Sequence, residues 1–99
     1  MVRHIPCGTF VNEIEWDPTK RSANLAKHGV DFRDCESVLS DPYALIHEDR
    51  EHTEERYTTI GVDDLGRILV VAYTWRDHTI RLISARRATT QERSRYPGS

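Results

Sequence analysis

The sequence predicts an α+β fold: two N-terminal helices packed on a mainly antiparallel β-sheet, closed by a short C-terminal helix. Three observations predict it. Phe10 to Trp16 alternates in polarity, after which the period changes to helical spacing across two stretches that begin with capping residues. Four β-rich segments follow, divided by turn residues. Near the end, Thr89 and Glu92 have the spacing of a capping box.

In chain order, the first strand sets Phe10, Ile14 and Trp16 on one face against Glu13 and Glu15 on the other. Asp17 is placed to N-cap a helix with Pro18 at its first position. Ala23, Leu25 and Ala26 supply part of a buried stripe, and Gly29 offers the left-handed C-terminal cap. Asp31 caps a second helix, in which Phe32, Cys35, Val38 and Leu39 recur at helical spacing and Val30 with Cys35 suits a hydrophobic staple. Asp41-Pro42 ends it. Tyr43 to His47 reads as a short strand, Glu48 to Glu55 as an acidic loop, and Tyr57 to Val62 as another strand. Asp63-Asp64-Leu65-Gly66 is a turn into Ile68 to Trp75, whose nearly unbroken apolar run predicts a central strand buried on both faces. Asp77-His78 turns the chain into Thr79 to Ala85, completing an antiparallel meander. The final helix carries Arg93, Arg95 and Tyr96 and stops at Pro97-Gly98.

A chain of 99 residues is sized for one domain. With 37% hydrophobic and 30% charged residues it has neither a disordered nor a membrane composition. Its longest apolar run, Ile68 to Tyr73, falls well short of the roughly 20 residues of a span. Arg3, His4, Pro6 and Gly8 interrupt any secretory leader, so a cytoplasmic location is expected, with Cys7 and Cys35 both reduced. The net charge of −2 hides a dipole: residues 41–66 hold two basic and eight acidic side chains, whereas residues 67–99 hold seven arginines and two acids. Such a basic end suits phosphate or an acidic partner chain, and guanidinium can clamp phosphate oxygens bidentately.

No metal set is predicted. His47 and His52 are five apart on a strand-to-loop segment, no cysteine pair has zinc spacing, and Asp49, Glu51, His52, Glu54 and Glu55 read as a solvated acidic loop. P-loop and dinucleotide glycine patterns are absent, so no cofactor is expected. The remaining Arg, His, Lys, Glu and Tyr residues suit RNA cleavage without a metal. That reaction needs a proton acceptor for the attacking 2′-hydroxyl, cations for the phosphorane-like transition state, and a donor for the leaving oxygen. Arginine is too basic to accept the proton, which leaves His28, His52, Glu55 or Tyr96. Period two along Ile80 to Arg86 sets Leu82, Ser84 and Arg86 on one face and Arg81, Ile83 and Ala85 on the other. Arg76, at the end of the preceding strand, lies close to this turn.

Five stretches carry a resemblance: Glu15-Trp16-Asp17, Asn24 to Val30, Glu54-Glu55-Arg56-Tyr57, Gly66 to Val71, and Ile83 to Thr89. With Asp41-Pro42, His52 and the ending from Glu92-Arg93 to Tyr96, their order and spacing over residues 13–96 resemble the BrnT toxin family. The resemblance implies a RelE-like fold, RNA cleavage that arrests translation, and a BrnA-type antitoxin that forms a heterotetramer with the toxin and alone contacts operator DNA. Against the family pattern, residues 1–11 form a lead-in and Pro97-Gly98-Ser99 replaces a more acidic tail. Matching the motifs residue by residue gives Lys27 and His28, Glu55 and Arg56, and Ser84 and Arg86. His28, Glu55, Arg56 and Arg86 are the candidate catalytic residues; Lys27, Arg76, Arg81, Ser84, Arg87 and Tyr96 are the candidate RNA-binding ones.

Each candidate has a structural alternative. Lys27 and His28 suit the C-terminal end of a helix dipole, and Arg56 suits a surface ion pair with Asp49, Glu51 or Glu54. Tyr96 can seal the core, and Trp16 and Trp75 read as packing residues. The alternative function is a protein- or nucleic-acid-binding module without catalysis.

Overall fold

A computed structural model describes residues 13–49, 56–76 and 78–97, with the side chains of Glu13, Asp49 and Arg76 outside that set. Its elements are β1 (Glu13–Glu15), α1 (Pro18–His28), a 3-10 turn (Phe32–Asp34), α2 (Cys35–Leu39), β2 (Leu45–Asp49), β3 (Arg56–Val62), β4 (Ile68–Arg76), β5 (Thr79–Arg87) and α3 (Thr90–Arg95). The α+β class and the antiparallel meander hold. The five strands lie in the order β1-β5-β4-β3-β2, antiparallel except for the parallel pair β1–β5, so the sheet is mixed. No helix among the described residues is long and apolar enough to cross a membrane.

β1 and β2 occupy opposite edges, so the intervening helices must cross the sheet, and the core forms where they do. Val30, Phe32, Cys35, Val38 and Leu39 pack against Tyr57, Leu69, Val71, Tyr73, Ile80, Leu82 and Ala85. Trp16 and Trp75 join this cluster as the packing residues expected, with the Trp16 ring edge-on to Phe32 at 6.3 Å. Gly61 allows the closest approach: a Cβ there would lie 2.9 Å from the Val38 carbonyl oxygen. β4 is central as predicted, with Leu69, Val71 and Tyr73 buried on one face and Val70 and Thr74 on the other. On the core side Tyr57 stacks on Tyr73, and the Tyr73 hydroxyl meets Thr59 Oγ1 at 2.7 Å. Burial pushes the Tyr73 phenol up to about 12 and the Cys35 thiol, also free and buried, up to about 12. Cys7 lies outside the described residues.

The caps follow the sequence. Asp17 accepts from Thr19 N–H at 2.8 Å, and Gly29 closes α1 with φ 71°. Asp31 accepts from Arg33 N–H, but the segment it caps is a 3-10 turn that leads into a helix only from Cys35. β2 begins two residues later than expected and runs into the predicted acidic loop.

The expected stripe on α1 is overturned: Ala23, Leu25 and Ala26 are exposed, and the buried residue is Asn24. Among the described residues β1 covers β5 only from Thr79 to Arg81, which leaves the rest of β5 without a described strand on that side. Asn24 takes the strand's place. Its Nδ2 donates to the Ala85 carbonyl at 2.8 Å and to the Val30 carbonyl at 2.9 Å, while its Oδ1 accepts from Ala85 N–H at 3.0 Å. α1 is therefore docked by a buried amide, and its apolar residues are free to face outward.

Candidate functional site

The sheet face away from the core cluster carries the basic residues, and a register shift arranges them. Ala72 pairs with Ser84 while Tyr73 pairs with Leu82, which makes Ile83 the extra residue of a β-bulge. Strict alternation, which predicted Arg81 apart from Ser84 and Arg86, is thus corrected. Ile80, Leu82 and Ala85 face the core, and Arg81, Ser84 and Arg86 share the other side. The adjacent pair Leu82-Ile83, which breaks the polar–apolar alternation begun at Thr79, was the available signal.

Along β3, Tyr57, Thr59 and Gly61 are buried, so Arg56, Thr58 and Ile60 face the same side as the β5 arginines. Thr74 pairs with Arg81, and because Tyr57 pairs with Tyr73, the antiparallel register sets Arg56 level with Thr74. One transverse row therefore reads Arg81, Thr74, Arg56. The next is small, Ser84, Ala72, Thr58, and ends at His47 on β2. A third begins with Arg86 beside Val70. The result is a shallow floor of small side chains with arginines on both sides, a shape that suits an extended polyanion.

The cations differ in their partners. Arg81 Nη1 donates to Glu15, the residue beside it on β1. Arg86 forms a bidentate pair with Glu92 of α3, Nη1 to Oε1 at 2.8 Å and Nη2 to Oε2 at 2.9 Å. The pair raises the Arg86 guanidinium and holds the Glu92 carboxyl well down, at about 2. Of the five guanidinium N–H bonds, Glu92 takes two and the Arg87 carbonyl a longer third at 3.4 Å, so Arg86 keeps donors for a ligand. Arg56 Nε is buried and has no hydrogen-bond partner among the described residues, although β2 sets Asp49 across from it.

The other candidates are placed as follows. Asn24 holds the last turns of α1 beside Ala85, which lies between Ser84 and Arg86, and half-buried His28 stands one turn beyond Asn24 on the same stripe. Exposed Lys27 adjoins it, and no hydrogen bond or ion pair among the described residues joins either to Arg86. Arg87 is exposed, and alternation turns it to the opposite face from Arg86. Arg76 closes β4 opposite Thr79. Tyr96 is buried and donates to Asp41, whose carboxylate also accepts from the N–H groups of Tyr43 and Val62; burial first, then that bond, pushes its phenol up to about 12. Tyr96 thus sits where it seals the core. Glu55 and His52 lie outside the described residues.

Sequence reasoning missed Glu15, Glu92 as a partner of Arg86, and Asp41 as the anchor of Tyr96, because each bond spans elements whose proximity only the fold creates. A separate recess of about 530 Å³ is lined by Asp34, Glu36, Asp41, Asp63 and Asp64 among others. Its mostly acidic wall, with Arg33 the one basic lining residue, disfavours an anionic ligand there. Among the described residues no three His, Cys, Asp or Glu side chains converge to hold a metal ion.

Residues 16–92 match the family described as the ribonuclease toxin BrnT of type II toxin–antitoxin systems. A solved structure, the Brucella abortus ribonuclease toxin BrnT at 1.1 Å resolution, superposes with a TM-score of 0.65 at 31% sequence identity, covering 79% of this chain and 97% of that one. No curated protein matches.

Proposed function

The chain belongs to the BrnT family of ribonuclease toxins of type II toxin–antitoxin systems, and from that premise we propose that its arginine face cleaves RNA without a metal ion. The family implies an RNA substrate and an antitoxin partner. The observation that carries the residue assignment is the bulge at Ile83, which gathers Arg81, Ser84 and Arg86 opposite Arg56 on one face.

In this reading a phosphodiester lies across the small-residue floor. The 2′-hydroxyl attacks the adjacent phosphorus, its proton goes to a base, the bond to the 5′-oxygen breaks, and that oxygen takes up a proton. Arg86 and Arg56 stabilise the charge gathering on the phosphoryl oxygens. Arg81 and Ser84 hold the neighbouring backbone, with Lys27 and Arg76 as further RNA-binding candidates; Arg87, turned to the opposite face, and Tyr96, buried against Asp41, are left out of this site. His28 and Glu55 handle the protons: His28 lies one turn beyond Asn24, which docks α1 on β5 at Ala85, and Glu55 immediately precedes Arg56 in the chain.

The wider reading is of a RelE-like toxin domain spanning the chain, with residues 1–11 as a lead-in, acting in the cytoplasm to arrest translation. Its partner is a BrnA-type antitoxin in a heterotetramer that contacts operator DNA only through the antitoxin. The test is incubation of antitoxin-free protein with total RNA in EDTA, beside Arg86→Ala matched for folding by circular dichroism. Cleavage by the parent and not by the variant supports the assignment. A folded, fully active Arg86→Ala overturns it, and intact RNA in both favours ribosome-dependent cleavage or a binding module.

A further inference from the structure

Glu92 belongs to two structures at once. On α3 it completes a capping box: Oε1 accepts from Thr89 N–H at 2.9 Å, and Thr89 Oγ1 accepts from Glu92 N–H at 3.2 Å. On the sheet the same carboxylate grips both terminal nitrogens of Arg86. The cap fixes the Glu92 side chain, so the guanidinium is held by a partner that cannot swing aside. The other end of α3 is tethered as well, through Tyr96 to Asp41 and from there to the Val62 N–H. The side chain of Glu92 is 22% exposed and that of Arg86 40%, so of the two Arg86 is the more accessible to a ligand.

We infer that Glu92 is a positioning residue for RNA cleavage, fixing the Arg86 guanidinium so that its unused N–H donors meet the reacting phosphate. The inference rests on the reading that Arg86 acts on that phosphate. Replacement by glutamine separates the two duties of Glu92. Glutamine still satisfies a capping box, but its neutral amide offers one acceptor oxygen and an NH2 group that opposes a guanidinium.

The full chain carrying Glu92→Gln, Thr89→Ala or Arg86→Ala is assayed on one RNA, with folding followed by circular dichroism. Glu92→Gln is expected to lower kcat at least about tenfold with KM changed by less than about threefold, because the interaction is made in the transition state. Thr89→Ala, which weakens the cap and leaves the ion pair, is expected to keep kcat at temperatures where it is folded. Parental kcat in Glu92→Gln beside an inactive Arg86→Ala overturns the role of Glu92 alone. A folded, fully active Arg86→Ala overturns the Arg86 reading and this inference with it. Parallel losses in Glu92→Gln and Thr89→Ala also overturn positioning, since both would then act through α3 stability. If Glu92→Gln does not fold, Glu92→Asp is judged by the same criteria, its shorter carboxylate being unable to span both nitrogens from the capped position.

Discussion

On the helix-covered face, two buried polar side chains are consumed by the fold: the Thr59 hydroxyl meets the Tyr73 phenol, and the Asn24 amide fills both backbone bonds of Ala85. The turn at that sheet's end behaves likewise. Asp63, its side chain 1% exposed, accepts from the Leu65 and Arg67 N–H groups and pairs with the Arg67 guanidinium, which also reaches Asp34. On the other face, Arg81 and Arg86 each meet a single carboxylate among the described residues and keep 37% and 40% of their side chains exposed. Saturated polar groups specify structure, whereas arginines with donors to spare are the ones that can bind a substrate.

The largest test of this contrast is Arg86→Ala, expected to cost at least about 100-fold in kcat/KM, typical of losing a cation aimed at transition-state charge. Its melting temperature should stay within a few degrees of the parent, because the pair it breaks is half exposed. Asn24→Ala should show the reverse. Three hydrogen bonds go and buried backbone groups are left unpaired, so chemical denaturation should report a loss of about 3 kcal/mol, with a fall in Tm on the order of 15 °C. Acid titration probes the partly buried carboxylates that pair with arginine. The Arg21 guanidinium holds Asp31 at about 2, and Arg86 does the same for Glu92. Carboxyls lowered on folding stabilise above their ordinary range, near 4, and lose that contribution as pH falls toward 2. Thermal stability should therefore decline over that window, and less steeply in Glu92→Gln. The smallest effect belongs to Leu25→Ser, which should stay within about 0.5 kcal/mol of the parent because Leu25 is 46% exposed.

Much of the fold was legible because local chemistry decided it. Asp17, Gly29 and the Thr89–Glu92 box fixed three helix termini, and the apolar run of β4 announced a central strand with buried residues on both faces. The stripe on α1 failed for a physical reason: an apolar period identifies helices that dock by burying hydrocarbon, and this one docks by hydrogen-bonding to a strand edge. The face assignment of Ser84 and Arg86 together survived, while Arg81 was misplaced, because period two holds only until a bulge adds a residue. Arg86 as a candidate was visible in the stretch from Ile83 to Thr89. Its pairing with Glu92 was not, since the cap signal already accounted for that glutamate.

The amide of Asn24 has one more consequence. A strand edge with unpaired N–H and C=O groups is a template for another chain, and β5 beyond Arg81 would be such an edge. A side chain that answers both groups of Ala85 removes the template without adding a strand, so the chain turns a potential aggregation seam into a helix-docking point. Among the described strands the other sheet edge is β2, where His47, Glu48 and Asp49 set polar residues along the margin that discourage edge-to-edge growth.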